Sequence, residues 1–261
     1  MTACNQAEIK IKQTDKCFEQ FPKDRDFKED IAANAWSEAK ESYIIHTGDS
    51  WTYSTAVVFE KYNDLDYRLR TKHFNRDSFK TERKITKQDW EYICSSLDSL
   101  NFWCTDFKEL IYSTDGHETN IIGKIDSHFH QIRIGNYNRY ERHDGLSDSK
   151  RKLLKTSLNL LKFGGFEGLK KPRFVMNTIK TDSIRIDSYF TDPFIESSEM
   201  FLNQIKVDSK EDIFFIKIHK SALGKVHLVA KAVFFNGEKF TYEVDIDEYF
   251  LNKIREKKYY E

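Results

Sequence analysis

The sequence is poor in residues that interrupt regular structure and has no excess of charge of either sign. Its 261 residues include 3 Pro and 10 Gly, which argues against a long disordered linker or a collagen-like region. The 42 basic and 42 acidic side chains cancel, so the whole chain has no general attraction for nucleic acid, and we expect no nucleic-acid partner. A run of roughly 18 apolar residues, the pattern of a membrane-spanning helix, is absent from the sequence.

The sequence also lacks the short motifs of common catalytic sites. Its cysteines form no CxxC pair, so a cysteine zinc site or a thioredoxin-like centre has no support. It contains no GxSxG elbow, and the glycines at 164–168 lack the preceding strand and the following Lys-Ser/Thr of a phosphate-binding loop. We therefore predict no catalytic residue, and the sequence favours a protein that is not an enzyme.

Strand-like runs of aromatic and β-branched residues are abundant in the chain. Aromatic residues make up 15% of it, with 21 Phe and 13 Tyr, which supplies apolar area for a core. Alternation and composition predict strands at 53–60, 67–72, 120–125, 128–135, 212–220, 225–235 and 238–246. The first two are expected to form a hairpin with one wet face, since Tyr67 and Leu69 alternate with Arg68 and Arg70. The turn residues Asn236-Gly237 predict a type I′ hairpin, in which Val233 lies opposite Phe240 and Val229 opposite Val244.

Apolar residues at helical spacing predict helices over 27–41, from Thr86, from Ser147, and over 248–258. Thr86 with Asp89 has the pattern of a capping box, and Asp247 is placed to cap the last helix. Together these elements predict an α+β fold with two small antiparallel sheets, each covered by helices.

The glycines and the proline of 164–172 predict a linker between two domains. We expect a polar N-terminal tether over 1–24 and a sheet–helix domain over 25–163. The remaining domain, over 173–261, would combine a three-stranded meander with a C-terminal helix. This layout of sheet, helix, hairpin and helix resembles that of many uncharacterised bacterial α+β proteins, and the resemblance extends to layout alone.

The first four residues, Met1-Thr2-Ala3-Cys4, resemble the end of a bacterial lipobox, in which small residues precede the lipidated cysteine. The resemblance implies that Cys4 is the lipid attachment site of a lipoprotein of the cell envelope, held to a membrane only through this anchor. The alternative is a cytoplasmic protein with a cysteine near its start.

Histidines and aspartates cluster between residues 115 and 130. His128 and His130 are two residues apart on a predicted strand, so their side chains point to the same face. With Asp115 they could hold zinc, the cofactor that such a ligand set would suit. The alternative interpretation is a pair of solvated strand histidines, and a protein with no cofactor.

Aromatic residues around Pro193 suggest a surface for another macromolecule. Tyr189, Phe190 and Phe194 are of the types that anchor interfaces, although they could equally fill the second core. We therefore expect a non-enzymatic binding or accessory protein, an envelope lipoprotein that recognises a protein or glycan partner. The alternatives are a cytosolic interaction protein of the immunity or antitoxin kind, and a metal-dependent hydrolase that uses His128 and His130.

Overall fold

The structure is a computed structural model that describes residues 38–48, 54–73, 79–105, 117–125, 128–137, 147–166, 172–179, 182–190, 192, 194–210 and 213–257. The chain divides into two compact units. The first comprises Met1–Asn136 and Asp148–Phe166, and the second comprises Tyr137–Ser147 and Glu167–Glu261. None of the helices in the described residues combines the length and apolar composition that crossing a membrane requires.

A six-stranded sheet forms the centre of the first unit. Its strands are β1 (Glu41–Gly48), β2 (Ser54–Asn63), β3 (Asp66–His73), β4 (Phe79–Lys84), β5 (His117–Ile125) and β6 (His128–Tyr137). Their order across the sheet is β4-β3-β2-β1-β5-β6. The predicted hairpin of β2 and β3 is confirmed, and its expected apolar residues Tyr67 and Leu69 are buried.

Two helices cover one face of this sheet, α1 (Lys87–Ser99) and α2 (Asp148–Phe163). The Thr86–Asp89 capping box that the sequence predicts is present at the start of α1. Rings from the sheet meet rings from the helices, with Tyr43 at 5.8 Å from Trp90 and Phe59 at 6.0 Å from Phe163. A short 3₁₀ turn, Phe102–Cys104, adds two buried aromatic side chains to the same face.

The second unit contains two four-stranded sheets and one helix in its described part. The strands are β7 (Arg173–Ile179), β8 (Ser183–Tyr189), β9 (Ile195–Leu202), β10 (Ile205–Lys206), β11 (Ser209–Lys210), β12 (Ile213–His219), β13 (His227–Phe234) and β14 (Lys239–Asp245). A second 3₁₀ turn, Lys220–Ala222, follows β12, and the C-terminal helix is α3 (Glu248–Lys257). The sheet orders are β10-β9-β13-β14 and β11-β12-β8-β7. Because β12 pairs with β8 and not with β13, the three runs expected to form one meander belong to two sheets.

The predicted fold class, α+β with two sheets each covered by helices, is wrong. The structure is mostly β, with three antiparallel sheets and three short helices among the described residues. The prediction missed strands that do not alternate in the usual way. In β1, every residue after Glu41 is buried, because both faces of this central strand are covered. A strand that is buried on both faces has no polar face, so its sequence does not alternate between polar and apolar residues.

The predicted register of the β13–β14 hairpin is also wrong, by one residue. Ala232 lies opposite Phe240 and Val229 opposite Glu243. Only Gly237 of the turn has a positive φ, at 85°, and its N–H donates to the carbonyl oxygen of Phe234 at 2.7 Å. This is a three-residue loop closed by one glycine, not a type I′ turn, which needs positive φ at both central residues.

Candidate functional site

One depression on the described surface lies on the outer face of the sheet β10-β9-β13-β14. Strand β13 alternates, with the side chains of Leu228, Ala230, Ala232 and Phe234 buried and those between them directed outward. The outward residues line a groove of about 430 Å³ together with residues from β9 and the turn that follows it. The lining residues are Phe201, Asn203, Gln204, His227, Val229 and Lys231. We call this depression the outer-face groove.

One end of the outer-face groove is built by the turn between β9 and β10. Asn203 and Gln204 both have positive φ, at 47° and 70°, as a two-residue type I′ turn requires. The Asn203 side chain then ties the turn to the start of β13. Its Oδ1 accepts from the backbone N–H of His227 at 2.7 Å, and its Nδ2 donates to the Lys225 carbonyl at 3.2 Å. These bonds place His227 beside the turn.

His227 links the groove to two carboxylates on β14. Its Nδ1 is 2.8 Å from Asp245 Oδ1, the residue directly opposite in the hairpin, and its Nε2 is 3.5 Å from Glu243 Oε2. The hydrogen bond to Asp245 is the largest cause that raises the pKa of His227 above 6.5, and the negative charges of Asp245 and Glu243 act in the same direction. His227 therefore keeps its positive charge to a higher pH than a free histidine does.

Lys231 supplies the second positive charge of the groove. Its ammonium nitrogen lies 5.0 Å from the centre of the Phe201 ring, within the range of a cation–π contact. The carboxylate directly opposite Lys231 on β9 is that of Glu199, which pairs instead with Lys206 at 2.6 Å. In the part of the chain that the structure describes, Lys231 makes no ion pair within 4.0 Å.

The residues of the predicted zinc site are described only in part. His130 is buried, and its Nε2 lies 2.9 Å from the Thr105 carbonyl oxygen, to which it donates. A nitrogen that donates a proton offers no lone pair to a metal. His128 lies on β6 but its side chain is outside the described residues, as is Asp115. The described residues include no group of three His, Cys, Asp or Glu side chains that could hold a metal. Because the side chains of two of the three predicted ligands lie outside the described residues, the zinc site stays a prediction.

The three aromatic residues expected to anchor an interface are in the core of the second unit. Tyr189, Phe190 and Phe194 are 9%, 2% and 0% exposed. The expectation that they present a surface is therefore corrected, because burial leaves them no area that a partner could contact. Cys4, the predicted lipid attachment site, lies outside the described residues.

A polar network lies on the face of the first sheet that is opposite α1 and α2. His46 Nδ1 is 3.4 Å from Asn120 Nδ2, and Gln131 donates to Asn120 at 3.2 Å. Glu118 accepts from Asn120 and, at 2.6 Å, from Arg133. Burial lowers the pKa of His46 to about 4; the negative charge of Glu118 acts against this shift and the positive charge of Arg133 acts with it. This imidazole is therefore neutral at pH 7.

The described cysteines differ in their oxidation state. Cys94 is a free thiol, whereas Cys104, at the end of the first 3₁₀ turn, is disulfide-bonded. No cysteine spacing predicts this bond, because disulfide connectivity does not follow from cysteine positions alone.

The sequence indicates Val229 only as a member of the predicted hairpin, and it does not predict the outer-face groove as a site. The hairpin signal that could have found it was present, but the one-residue error in register placed His227 opposite Ile246 and hid its pairing with Asp245.

Comparison with protein families finds no family model that matches the chain. Comparison with curated proteins likewise finds no match. The groove itself is therefore the starting point for a function.

Proposed function

We propose that this protein is a non-enzymatic binding protein of the cell envelope and that the outer-face groove is its binding surface. The observation that carries the proposal is the composition of the groove. A half-buried aromatic ring, a half-buried aliphatic side chain, a lysine ammonium and an imidazole share one concave surface; they belong to Phe201, Val229, Lys231 and His227. Pockets that bind ligands combine an apolar lining with a few polar groups that fix orientation.

Rigidity of the surrounding backbone supports the same proposal. The groove residues lie on paired strands or on a turn that the Asn203 side chain bonds to β13 at two points. Their relative positions are therefore set before a partner arrives, which lowers the entropy lost on binding. A binding surface on strands holds its geometry better than one on a long loop.

The disulfide at Cys104 supports a location in the envelope over the cytosolic alternative. Disulfides persist in oxidising compartments and are rare in the cytosol, where thiols are kept reduced. The proposed lipid at Cys4 belongs to the same interpretation, since lipoproteins are displayed outside the cytoplasm. Metabolic labelling with an alkyne fatty acid, from a gene that keeps its natural upstream codons, would test this. We expect labelling of the natural protein and of Cys94→Ser, and none of Cys4→Ser.

Site-specific photo-crosslinking in the source cells tests the groove as the binding surface. A photoreactive amino acid replaces Val229, which is half-buried in the groove, or Lys217, an exposed residue of β12 on the other sheet of the same unit. We expect a discrete adduct from position 229 that is absent from position 217. The proposal is wrong if position 229 gives no adduct, or if both positions give the same set of adducts.

A further inference from the structure

We propose that the outer-face groove binds an acidic segment of a protein partner, with a carboxylate at Lys231 and an adjacent aliphatic side chain against Val229 and the part of the Phe201 ring that the ammonium does not cover. This inference rests on the proposed function and names the chemistry of the partner. Three features of the described residues carry it: the balance of charge on the sheet face, the position of Lys231, and the shape of the apolar surface.

The balance of charge leaves the groove short of negative groups. The lining contains one lysine, one histidine and two amides, and it contains no carboxylate. The three nearby carboxylates already have partners, because Glu199 pairs with Lys206 while Asp245 and Glu243 both contact His227. A bound carboxylate would therefore be attracted to Lys231 without first displacing an ion pair of the protein.

Lys231 is placed to meet such a carboxylate. Its side chain is exposed, and its ammonium lies over the Phe201 ring at one side of the groove. The hydrogen bond from Lys206 lowers the pKa of Glu199, directly opposite Lys231 on β9, and the charge of Lys231 also helps to lower it. A lysine ammonium has three donors in no fixed plane, so it accepts a carboxylate from several directions. Gln204, exposed at the end of the groove, adds an amide that can donate to the same group or to a peptide carbonyl.

The apolar surface favours a peptide over a glycan. A sugar ring binds best by lying flat on an aromatic face, but Lys231 already covers one face of the Phe201 ring. What the groove leaves for apolar contact is the half-buried Val229 side chain and the part of the Phe201 ring that the ammonium does not cover, an area suited to an aliphatic side chain. In a peptide with an aspartate or glutamate next to Leu, Ile or Val, the carboxylate would pair with Lys231 and the aliphatic side chain would contact Val229 and Phe201.

The test uses NMR titration of the isotope-labelled full chain at pH 7 with three probes. The probes are acetyl-Gly-Leu-Glu-Leu-Gly-amide, the same peptide with Lys in place of Glu, and an oligomer of glucuronate. We expect the glutamate peptide to shift the amide signals of Phe201, Val229 and Lys231 and to bind at least tenfold more tightly than the lysine peptide. In Lys231→Glu this preference should reverse, because the charge of the groove is inverted. Lys217→Glu, a change of the same kind on the other sheet, should leave the preference intact.

Three results would overturn the inference: no shift of groove signals with the glutamate peptide, an unchanged preference in Lys231→Glu, or groove shifts with glucuronate alone. If Lys231→Glu loses the folded spectrum, Lys231→Gln is tested in its place. For that variant we expect the preference between the two peptides to disappear. If the crosslinked adduct at position 229 persists while the peptides fail, the groove remains a binding surface and only the chemistry assigned to its partner is wrong. If that adduct is absent as well, both proposals fail.

Discussion

We predict that His46 makes the stability of the protein fall as the pH is lowered from about 6.5 to about 4. The imidazole is 6% exposed, and burial lowers its pKa from 6.5 to about 4. Between these values the unfolded chain binds a proton at His46 and the folded chain does not. Stability therefore rises with pH across this window and is lost on acidification. The difference between the two pKa values corresponds to about 3 kcal/mol, of which roughly 1.4 kcal/mol is lost per pH unit in the middle of the window.

The local contacts explain why the folded chain resists this proton. The Asn120 amide nitrogen is a donor, so its position 3.4 Å from His46 Nδ1 requires the neutral tautomer in which that nitrogen accepts. Protonation would place two donors against each other. The negative charge of Glu118 favours the imidazolium, but burial outweighs it, and Arg133, 2.6 Å from Glu118, adds a positive charge that disfavours the imidazolium.

Urea unfolding at several pH values between 4 and 7 measures this effect, with His46→Gln as the matched variant. Carboxylates also titrate in this range, so the informative quantity is the difference in pH dependence between the two proteins. We expect the free energy of unfolding of the natural protein to fall by up to about 3 kcal/mol more than that of His46→Gln. Equal pH dependence, or an NMR titration of His46 with a pKa near 6.5, would refute the reasoning.

Further predictions concern packing, a buried ion pair and the disulfide. A Cβ added at Gly123 would lie 2.6 Å from the Phe102 ring, so Gly123→Ala should lower the free energy of unfolding by about 1–3 kcal/mol, with partial recovery when Phe102→Leu is added. Glu60 is fully buried and accepts from Arg70 Nε at 2.8 Å, so Glu60→Gln should cost about 3–5 kcal/mol in urea unfolding, whereas a loss below 1 kcal/mol would contradict a role for the pair. Cys104 should react with iodoacetamide in denatured protein only after reduction, and mass spectrometry that finds it labelled without reductant would disprove the disulfide.

Local signals in the sequence predict the helices and one hairpin of this fold well. The capping box at Thr86 is a short-range pattern whose two hydrogen bonds depend on residues three apart, and both bonds are present. Asp247 likewise caps the last helix, accepting from the Phe250 N–H at 2.7 Å. Burial of Leu153, Leu154 and their helical neighbours in α2 follows from their spacing. Such features need no knowledge of distant parts of the chain.

The sequence does not show which distant strands pair with each other. Strand β1 pairs along its two edges with β2 and β5, which are separated by more than fifty residues along the chain. Likewise, β12 pairs with β8 across a connection that includes β9 and β10, although β13 follows β12 more closely. Alternation indicates that a strand exists and which face is wet, but it does not identify the neighbour.

The groove depends on one choice that the hairpin sequence leaves open. Asn-Gly suits a two-residue turn with two positive φ angles, and it also suits a three-residue loop in which glycine alone takes the left-handed conformation. In the loop that forms, the Asn236 side chain accepts from the Glu238 N–H at 3.1 Å, which needs no positive φ at the asparagine. The added residue reverses which side chains of β13 face outward. Ala230 and Ala232 then face the core, where their small size admits the rings of Phe240 and Tyr242, and Lys231 faces the solvent beside Phe201. The binding surface is thus a consequence of core packing, because the two-residue turn would place a lysine inside.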